Sequence, residues 1–431
     1  MNPLEFLFGL EFHGHKFGLE NIRILTDALG RPQDACRSVS IAGTNGKGSV
    51  SAMAACALTA AGYRTGCYTS PHLVHLEERY AIDGQAVTAA ELEQVVGELR
   101  ELIDRLRAEG RLHAAPTFFE VATAAAFELF RRRRVDVSVL EVGLGGRLDA
   151  TTVATPAAGA ITNIDFDHQQ HLGYTLAEIA FEKAGIIKPG MLLVCGERKP
   201  EALEVIAAAC RERQATLIPA RDGVSISTAY VAGQATVELR TPEHAYGPVT
   251  LSLRGRHQVD NAVVAVRLLE ALGQAGIPVP ATAIEHGLRE ARWPGRLDLV
   301  RMADGRTVLL DAAHNPAGAA TLAAYLGEAA PAGLPIVFGA VRDKDHAAML
   351  ACLIPHATHL VLTSPPTPRA ADLGDLRRLA ACVRPERPLL VEPDPSRALD
   401  LAWTLGPDVC VAGSIFLIGA ILPSFPASPR R

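Results

Sequence analysis

No two of the eight cysteines stand in a C-x-x-C arrangement, and most of them lie inside apolar runs. That spacing argues against zinc-ribbon and redox motifs and suits the reduced thiols of a cytosolic protein better than a disulfide framework. Excess positive charge is missing too. The 42 Lys and Arg against 47 Asp and Glu leave a formal charge of −5, which offers no electrostatic footprint for nucleic acid. The one dense basic run, Arg131 to Arg134, follows the apolar stretch VATAAAFELF and precedes a strand. Cations complement the negative end of a helix, so this run reads as a solvated helix end. No apolar run reaches membrane-spanning length. The N-terminal stretch MNPLEFLFGLEFHGHKFGL carries Glu5 and Glu11 and no basic n-region, which makes a poor signal peptide. The expectation is a soluble, cytoplasmic protein with no nucleic-acid or membrane partner.

What is present points to an α/β enzyme. With 431 residues, 48% hydrophobic and 21% charged, the chain is too long for one ordinary core, and two domains are expected. Short β-branched runs at 38–43, 64–69, 135–142, 157–164 and 191–195 alternate with alanine-rich or amphipathic helical patterns. This alternation predicts a P-loop-type, mostly parallel sheet with helices on both faces. Residues 216–254 change character and read as a small antiparallel edge of that sheet. A second rhythm follows REARWPGRLDLV, with strands at 306–311, 335–340, 358–363, 388–392 and 408–413. That suffices for a smaller C-terminal Rossmann-like doubly wound domain. Pro294 and Gly295 stand where the rhythms meet, so the domains are expected at 1–297 and 298–431. Ligands in such sheets bind beyond the carboxyl ends of the strands.

At the first of those ends, GTNGKGS nearly matches the nucleotide-binding pattern G-x-x-x-x-G-K-[ST]. Ile41 replaces the opening glycine, and Gly48 separates Lys47 from the hydroxyl of Ser49. The context is right: a strand runs into the loop and a proline-free helix leaves it. Glycines turn backbone N–H groups toward an anion, and the helix N-terminus adds its dipole. Such a junction also occurs as a purely structural turn. Other residues at the same edge favour a nucleotide. Ser70 in TSPHL ends the next strand, and Glu141 lies deep in an apolar one, where a carboxylate is costly to bury unless paired or metal-bound. Another strand ends in Asp165, Asp167 and His168. Singly each has a structural explanation, His168 as a loop hydrogen-bonder. Together they predict a metal–nucleotide site, because Mg²⁺ takes few protein ligands and shares the rest with water and phosphate.

The segments GTNGKGS, YTSPHL with EER after it, LEVGLGGRLDAT, DHQQHLG leading to FEKAGIIKPG, GRHQVDNA, WPGR and LDAAHNP occur in that order. With them, from about residue 5 to 420, the sequence resembles the folylpolyglutamate synthase/dihydrofolate synthase family within the Mur-type amide ligases. GTNGK alone is shared with the wider Mur group, whereas the Lys-Gly-Ser order resembles the folate branch. The resemblance implies ATP-dependent amide synthesis: the γ-phosphate passes to an acceptor carboxylate, and the amine of L-glutamate displaces phosphate from the acyl phosphate. It implies Thr44, Asn45, Gly46, Lys47, Gly48 and Ser49 around ATP, and Ser70, Glu141 and His168 as Mg²⁺ ligands. Lys183 matches the family's carbamylated lysine, which helps hold a second Mg²⁺. From the residues alone it is an ordinary helix lysine behind the capping box of Thr175 and Glu178.

The resemblance also implies Asn261 at adenine, Arg296 at the phosphates across the domain seam, and Asp311 assisting the nucleotide. His314 and Arg79 are expected at the incoming glutamate or the acyl phosphate, although an Asp–His pair ending a strand is also explained as a loop bond. For the acceptor, dihydropteroate or a reduced folate, Phe118 or Phe119 would form an aromatic wall. Thr117 and Glu120 beside them make a capping box, and both phenylalanines are equally explained as core. Phe17, Gly18, Leu148, Asp149 and Ala150 would complete the pocket, and Ser414 is expected at the substrate site and as the cap of the last helix. The TFFE segment and KFGLENI resemble the bacterial bifunctional members. A Mur-type ligase acting on a UDP-muramoyl substrate is the enzyme alternative. Against it stand the Lys-Gly-Ser order and a phosphate loop near residue 43, which leaves no extra N-terminal UDP-binding domain. A non-catalytic nucleotide sensor is expected to lose Lys47, Glu141 or His168, and all three are present. Only small-molecule partners are expected, and a monomer.

Overall fold

The structure is a computed structural model, and it describes residues 2–10, 18–231, 233–384, 386 and 388–425. An eight-stranded sheet runs in the order β4 (Gln85–Ala86), β3 (Tyr80–Ile82), β2 (Thr65–Tyr68), β5 (Val137–Glu141), β1 (Arg37–Ala42), β6 (Ala158–Ile161), β7 (Leu192–Cys195), β8 (Thr216–Pro219). The strands from β2 to β8 are mutually parallel, while β3 and β4 add an antiparallel edge. Ser38 to Ala42 and all of β5 are buried, as expected of central strands covered on both faces. Val39, Ile41 and Val139 join the core under α3 (Lys47–Ala60), α9 (His257–Gln274) and α10 (Ala281–Glu290). Leu140 packs on the other face with α4 (Ala89–Ala108) and α5 (Phe118–Arg132). Ala42 packs on that face with α7 (Leu176–Ala184) and α8 (Pro200–Glu212).

The region 216–254 corrects the sequence expectation. β8 continues the main sheet in parallel. β9 (Ser225–Val231), β10 (Gln234–Arg240) and β11 (Ala245–Thr250) form an antiparallel sheet of their own. Ala235, Val237 and Leu239 of β10 are buried in the α9 core, with more exposed residues between them. A sheet with one face to cover suits antiparallel pairing.

The C-terminal domain holds a six-stranded sheet in the order β12 (Asp298–Arg301), β13 (Thr307–Asp311), β17 (Asp408–Ala412), β14 (Leu334–Phe338), β15 (Ala357–Leu362), β16 (Leu389–Val391). All pairs are parallel except β12 with β13. The five strands read from sequence are present. β12 was missed because its four residues are only partly covered and carry no buried run. α11 (Pro316–Ala329), α12 (His346–Leu353) and α13 (Leu373–Val383) cover one face, and α14 (Pro395–Trp403) and α15 (Ile415–Ile421) the other. No helix of the described residues is long and apolar enough to cross a membrane, and all eight cysteines are free.

α3 is held close to α10 through Gly287: a Cβ there would stand 2.6 Å from the Met53 carbonyl oxygen and 2.7 Å from the Ala57 methyl. Gly287→Val forces the two helices apart. We expect a loss of about 1–3 kcal/mol in chemical denaturation, the usual cost of overpacking.

Candidate functional site

The carboxyl ends of both sheets open on one cavity of about 840 Å³. Strand register sets Ile41 beside Glu141 on one side and Ala160 on the other, so the loops after β1, β5 and β6 emerge together. The loop after β1 is built around missing side chains. A Cβ at Gly43 (φ +146) would meet Thr162 Oγ1 at 1.8 Å, and one at Gly46 (φ +85) would meet Asn261 Oδ1 at 2.3 Å. Both backbones are in the region that glycine alone enters freely. Gly48 has a different reason. A Cβ there would lie 2.1 Å from the Trp293 ring, so the indole of WPGR occupies the space a side chain would need. The hydroxyl moves one place along, to Ser49, whose Oγ accepts from Gln258 Nε2 at 3.2 Å. Gln258 Oε1 in turn accepts from Asn261 Nδ2 at 2.9 Å. Thr44 Oγ1 donates to the Asp165 carbonyl at 3.1 Å, and Asn45 N–H donates to Asn163 Oδ1 at 2.8 Å, tying the loop to β6's exit.

Two lysines and a carboxylate lie beneath this loop. Lys47 Nζ donates to the carbonyls of Gly43 and Thr44 at 3.0 and 3.2 Å, and Lys183 Nζ donates to Gly43 at 2.9 Å. Burial pushes the Lys47 ammonium down from its ordinary value, opposed by the charges of Glu141 and Asp167. Lys183 is pushed down to about 7, chiefly by burial and then by the charge of Lys47. Glu141 is 4% exposed and its carboxyl is pushed up by burial, while Lys47 and the Ser70 N–H, 3.1 Å from Oε2, work against that shift. Ser70, Glu141, His168 and Lys183 all line the cavity. No three His, Cys, Asp or Glu side chains among the described residues gather as a metal cluster. The buried Glu141 carboxylate on the wall, facing a phosphate-type loop, nevertheless fits a divalent ion that shares its shell with phosphate and water. His168 sits at the rim with φ +50; desolvation by the surrounding protein pushes its ring down to about 4, against the charge of Asp167 and with those of Lys344, His314 and Lys47.

The C-terminal domain closes the cavity from the other side. Arg296 Nη1 donates to the Ala312 carbonyl at 3.0 Å, and His314 Nδ1 lies 2.9 Å from the same oxygen. Asp311 is buried at the end of β13, and its carboxylate accepts from Leu297 and Ala313 N–H, each at 2.8 Å. That bond helps hold Leu297 at φ +45, an uncommon conformation for a branched residue. Across the seam, Asp167 gathers three partners. Lys344 Nζ is 2.9 Å from Oδ1, Asn315 Nδ2 donates to Oδ2 at 3.0 Å, and His314 Nε2 lies 3.6 Å away. Burial alone would raise the Asp167 carboxyl; the bond from His314 and the charges of His168 and Lys344 hold it far below the usual carboxylate range.

The residues expected at the acceptor are placed differently. Of those described, none lines this cavity. Phe118 is buried, 6.1 Å from the ring of Phe8, and Phe119 lies 6.0 Å from Tyr68. Thr117 and Glu120 form the expected capping box of α5. Asp149 faces inward and accepts from the N–H groups of Gly143, Leu144 and Thr151, shaping the glycine turn after Glu141, with buried Ala150 next to it and Leu148 half-buried. Gly18 precedes α2 (Glu20–Ala28) away from the cavity, and Phe17 lies outside the described residues. Ser414 is buried and caps α15 through Phe416 N–H at 3.2 Å. Arg79 is buried too, with its guanidinium 5.0 Å from the Phe118 ring, and does not reach the cavity. Sequence reading passed over Trp293, Gln258 and His72, each inside a motif already quoted, and Lys344 and Asn315, whose roles at the seam arise only when the domains meet.

Lys344→Met leaves Asp167 without its cation. We expect a loss of about 2–4 kcal/mol in chemical denaturation at neutral pH. A depressed carboxyl contributes fully above its ordinary value of 3.8 and loses that contribution as pH falls below it. The gap between variant and parent should therefore narrow in acid.

Residues 41–269 match the Mur ligase middle domain, and residues 295–415 match the Mur ligase glutamate ligase domain. The chain is similar to the dihydrofolate synthase/folylpolyglutamate synthase of Bacillus subtilis (strain 168), 37% identical over 370 residues that cover 84% of each chain. It is similar to the solved structure of Mycobacterium tuberculosis folylpolyglutamate synthase complexed with ADP, at 34% identity and a TM-score of 0.91 over 99% of both chains. It also resembles the bifunctional folylpolyglutamate synthase/dihydrofolate synthase from Yersinia pestis complexed with AMPPNP and Mn ion, at 30% identity and a TM-score of 0.83 over 98% of each chain. Of two longer curated relatives, each 38% identical, the chain spans 41% and 44% of the length. With both Mur ligase domains matched and this likeness along nearly its whole length, the chain belongs to the folylpolyglutamate synthase/dihydrofolate synthase family of Mur ligases.

Proposed function

We propose that the chain is an ATP-dependent amide ligase that adds L-glutamate to dihydropteroate, to folate (poly)glutamates, or to both, through an acyl phosphate. The observation that carries this reading is the convergence of Lys47, Glu141 and Lys183 from the N-terminal domain, Arg296 from the domain seam and His314 from the C-terminal domain on a single cavity. The ATP and divalent-metal requirement draws support from the relatives complexed with ADP and with AMPPNP and Mn ion. The domains divide at residues 1–297 and 298–431, and the protein works as a cytoplasmic monomer on small molecules.

The chemistry follows from positioning and charge. Phosphoryl transfer demands little covalent help, so the protein's task is to hold nucleotide and acceptor in line and to neutralise the charge that spreads over the phosphate oxygens. The backbone of Gly43 to Gly48 and the start of α3 present N–H groups to the phosphates, with Lys47 as the cation beneath them. Arg296 approaches from the domain seam, and Asn261 stands at the nucleoside end. Ser70, Glu141 and His168 would hold Mg²⁺, which supplies charge neutralisation at the β- and γ-phosphates. Asp311 fixes the turn that presents His314 toward the amine of the incoming glutamate.

Lys183 has the properties that carbamylation needs. Its pKa of about 7 leaves a large share of neutral amine at physiological pH. The nitrogen lone pair adds to the carbon of CO₂ and one N–H proton leaves to solvent, converting a buried cation into an anion able to help hold a second Mg²⁺. Lys183→Ala is expected to lose roughly 100-fold in turnover and to regain part of it with added short-chain carboxylates. Full activity in the unrescued variant would overturn the carbamate.

The deciding experiment is phosphate release with ATP, Mg²⁺ and L-glutamate, offering dihydropteroate, a tetrahydrofolate and a UDP-muramoyl acceptor in turn. Turnover with either pteridine acceptor is expected. Turnover only with the muramoyl acceptor would sink the folate reading, and ATP binding without turnover on any acceptor would favour a sensor.

A further inference from the structure

Arg79, expected from sequence at the acyl phosphate, lies behind another residue. Its Nε–H donates to His72 Nδ1 at 3.0 Å, and it is His72 that lines the cavity. A guanidinium can only donate hydrogen bonds, so Nδ1 must carry the ring's lone pair and the proton of the neutral imidazole sits on Nε2. His72 follows Ser70 by two residues, and the Ser70 N–H is bound to Glu141. The ring is therefore set beside the edge where phosphate and divalent ion are expected. On its other side Arg79 covers Phe118, one of the two aromatic residues expected beside the acceptor's ring system.

We infer that His72 presents its Nε2–H to the reacting carboxylate of the acceptor and to the acyl phosphate formed from it, and that Arg79 is a positioning residue acting through His72. A neutral donor suits this place. It binds an oxygen of the carboxylate before transfer and an oxygen of the acyl phosphate after it, while adding no further charge to a cavity that already holds Lys47 and Arg296. A further cation there would compete with the divalent ion for the same oxygens.

The inference rests on the ligase reading, and its test separates the two. ATP binding, steady-state turnover and the ratio of phosphate released to amide formed are measured for the full chain and for His72→Leu, His72→Gln and Arg79→Met. In His72→Leu we expect ATP affinity to be unchanged and kcat/KM for the acceptor to fall about 100-fold, as when one preorganised donor is removed. The phosphate-to-amide ratio should rise above one-to-one, because an acyl phosphate that is poorly held is lost to water. His72→Gln, whose amide nitrogen still donates, should recover part of the rate and restore coupling. Arg79→Met should show the same pattern more weakly, with the loss mainly in the acceptor KM. Should the leucine variant not fold, His72→Phe offers a ring of similar shape without the N–H. Parental kcat/KM and one-to-one coupling in a folded donor-less variant, or a glutamine variant no better than leucine, would overturn the inference and leave the ligase reading standing. Absence of turnover in the unaltered chain would overturn both.

Discussion

Glu141 is buried and Lys47 half-buried at the carboxyl edge of the main sheet, and the charge of each offsets part of what burial costs the other. Low dielectric favours neutrality in each, and each opposes that shift in its neighbour. The strand order answers to this pairing. With β5 beside β1, the carboxylate at the end of one strand comes next to the lysine that opens the helix after the other. The glycine loop follows, because only a backbone stripped of side chains can pass between Thr162 and Asn261 and fold its carbonyls onto the two lysines. An arrangement that keeps opposed charges out of water holds free energy ready for a ligand that brings both an anion and a cation.

The second domain completes this edge from outside. Its contribution is a turn held by buried Asp311, which fixes Leu297 and Ala313 and so presents Arg296 and His314 to the cavity. The Asp167 clasp then joins the domains next to the rim histidine, His168. Asn315 belongs to both devices, because it caps α11 and reaches Asp167 as well as Asn45 of the phosphate loop. The seam and the phosphate loop are thus in direct register through one amide side chain.

Much of this was legible in the sequence, for reasons that are local. GTNGKGS between a strand and a proline-free helix, Glu141 in an apolar strand, and the two β-α rhythms are properties of short stretches. What was not legible depends on partners distant in sequence. Residues 225–250 alternate as strands must, yet nothing local says that their apolar face belongs to α9 and not to the main sheet. TFFE carries both a cap and two rings, and only their packing against Phe8, Tyr68 and Arg79 shows that neither ring is part of the cavity lining. Arg79 was read nine residues from Ser70 as if it faced the same space, and a histidine between them in sequence takes that face.

Trp293 and Gly48 carry a consequence for how such a chain can vary. The indole stands on the helix turn that begins the phosphate loop's exit, and it belongs to the segment joining the two domains. Placing the hydroxyl directly after the lysine, where this chain has Gly48, puts a Cβ inside that ring. Substitutions at positions 48 and 293, distant in sequence but in contact in the fold, are therefore not independent events: the loop's spelling and the linker's bulk form one heritable unit. A descendant that regains a side chain at 48 must first shrink residue 293 or reroute the segment that carries it.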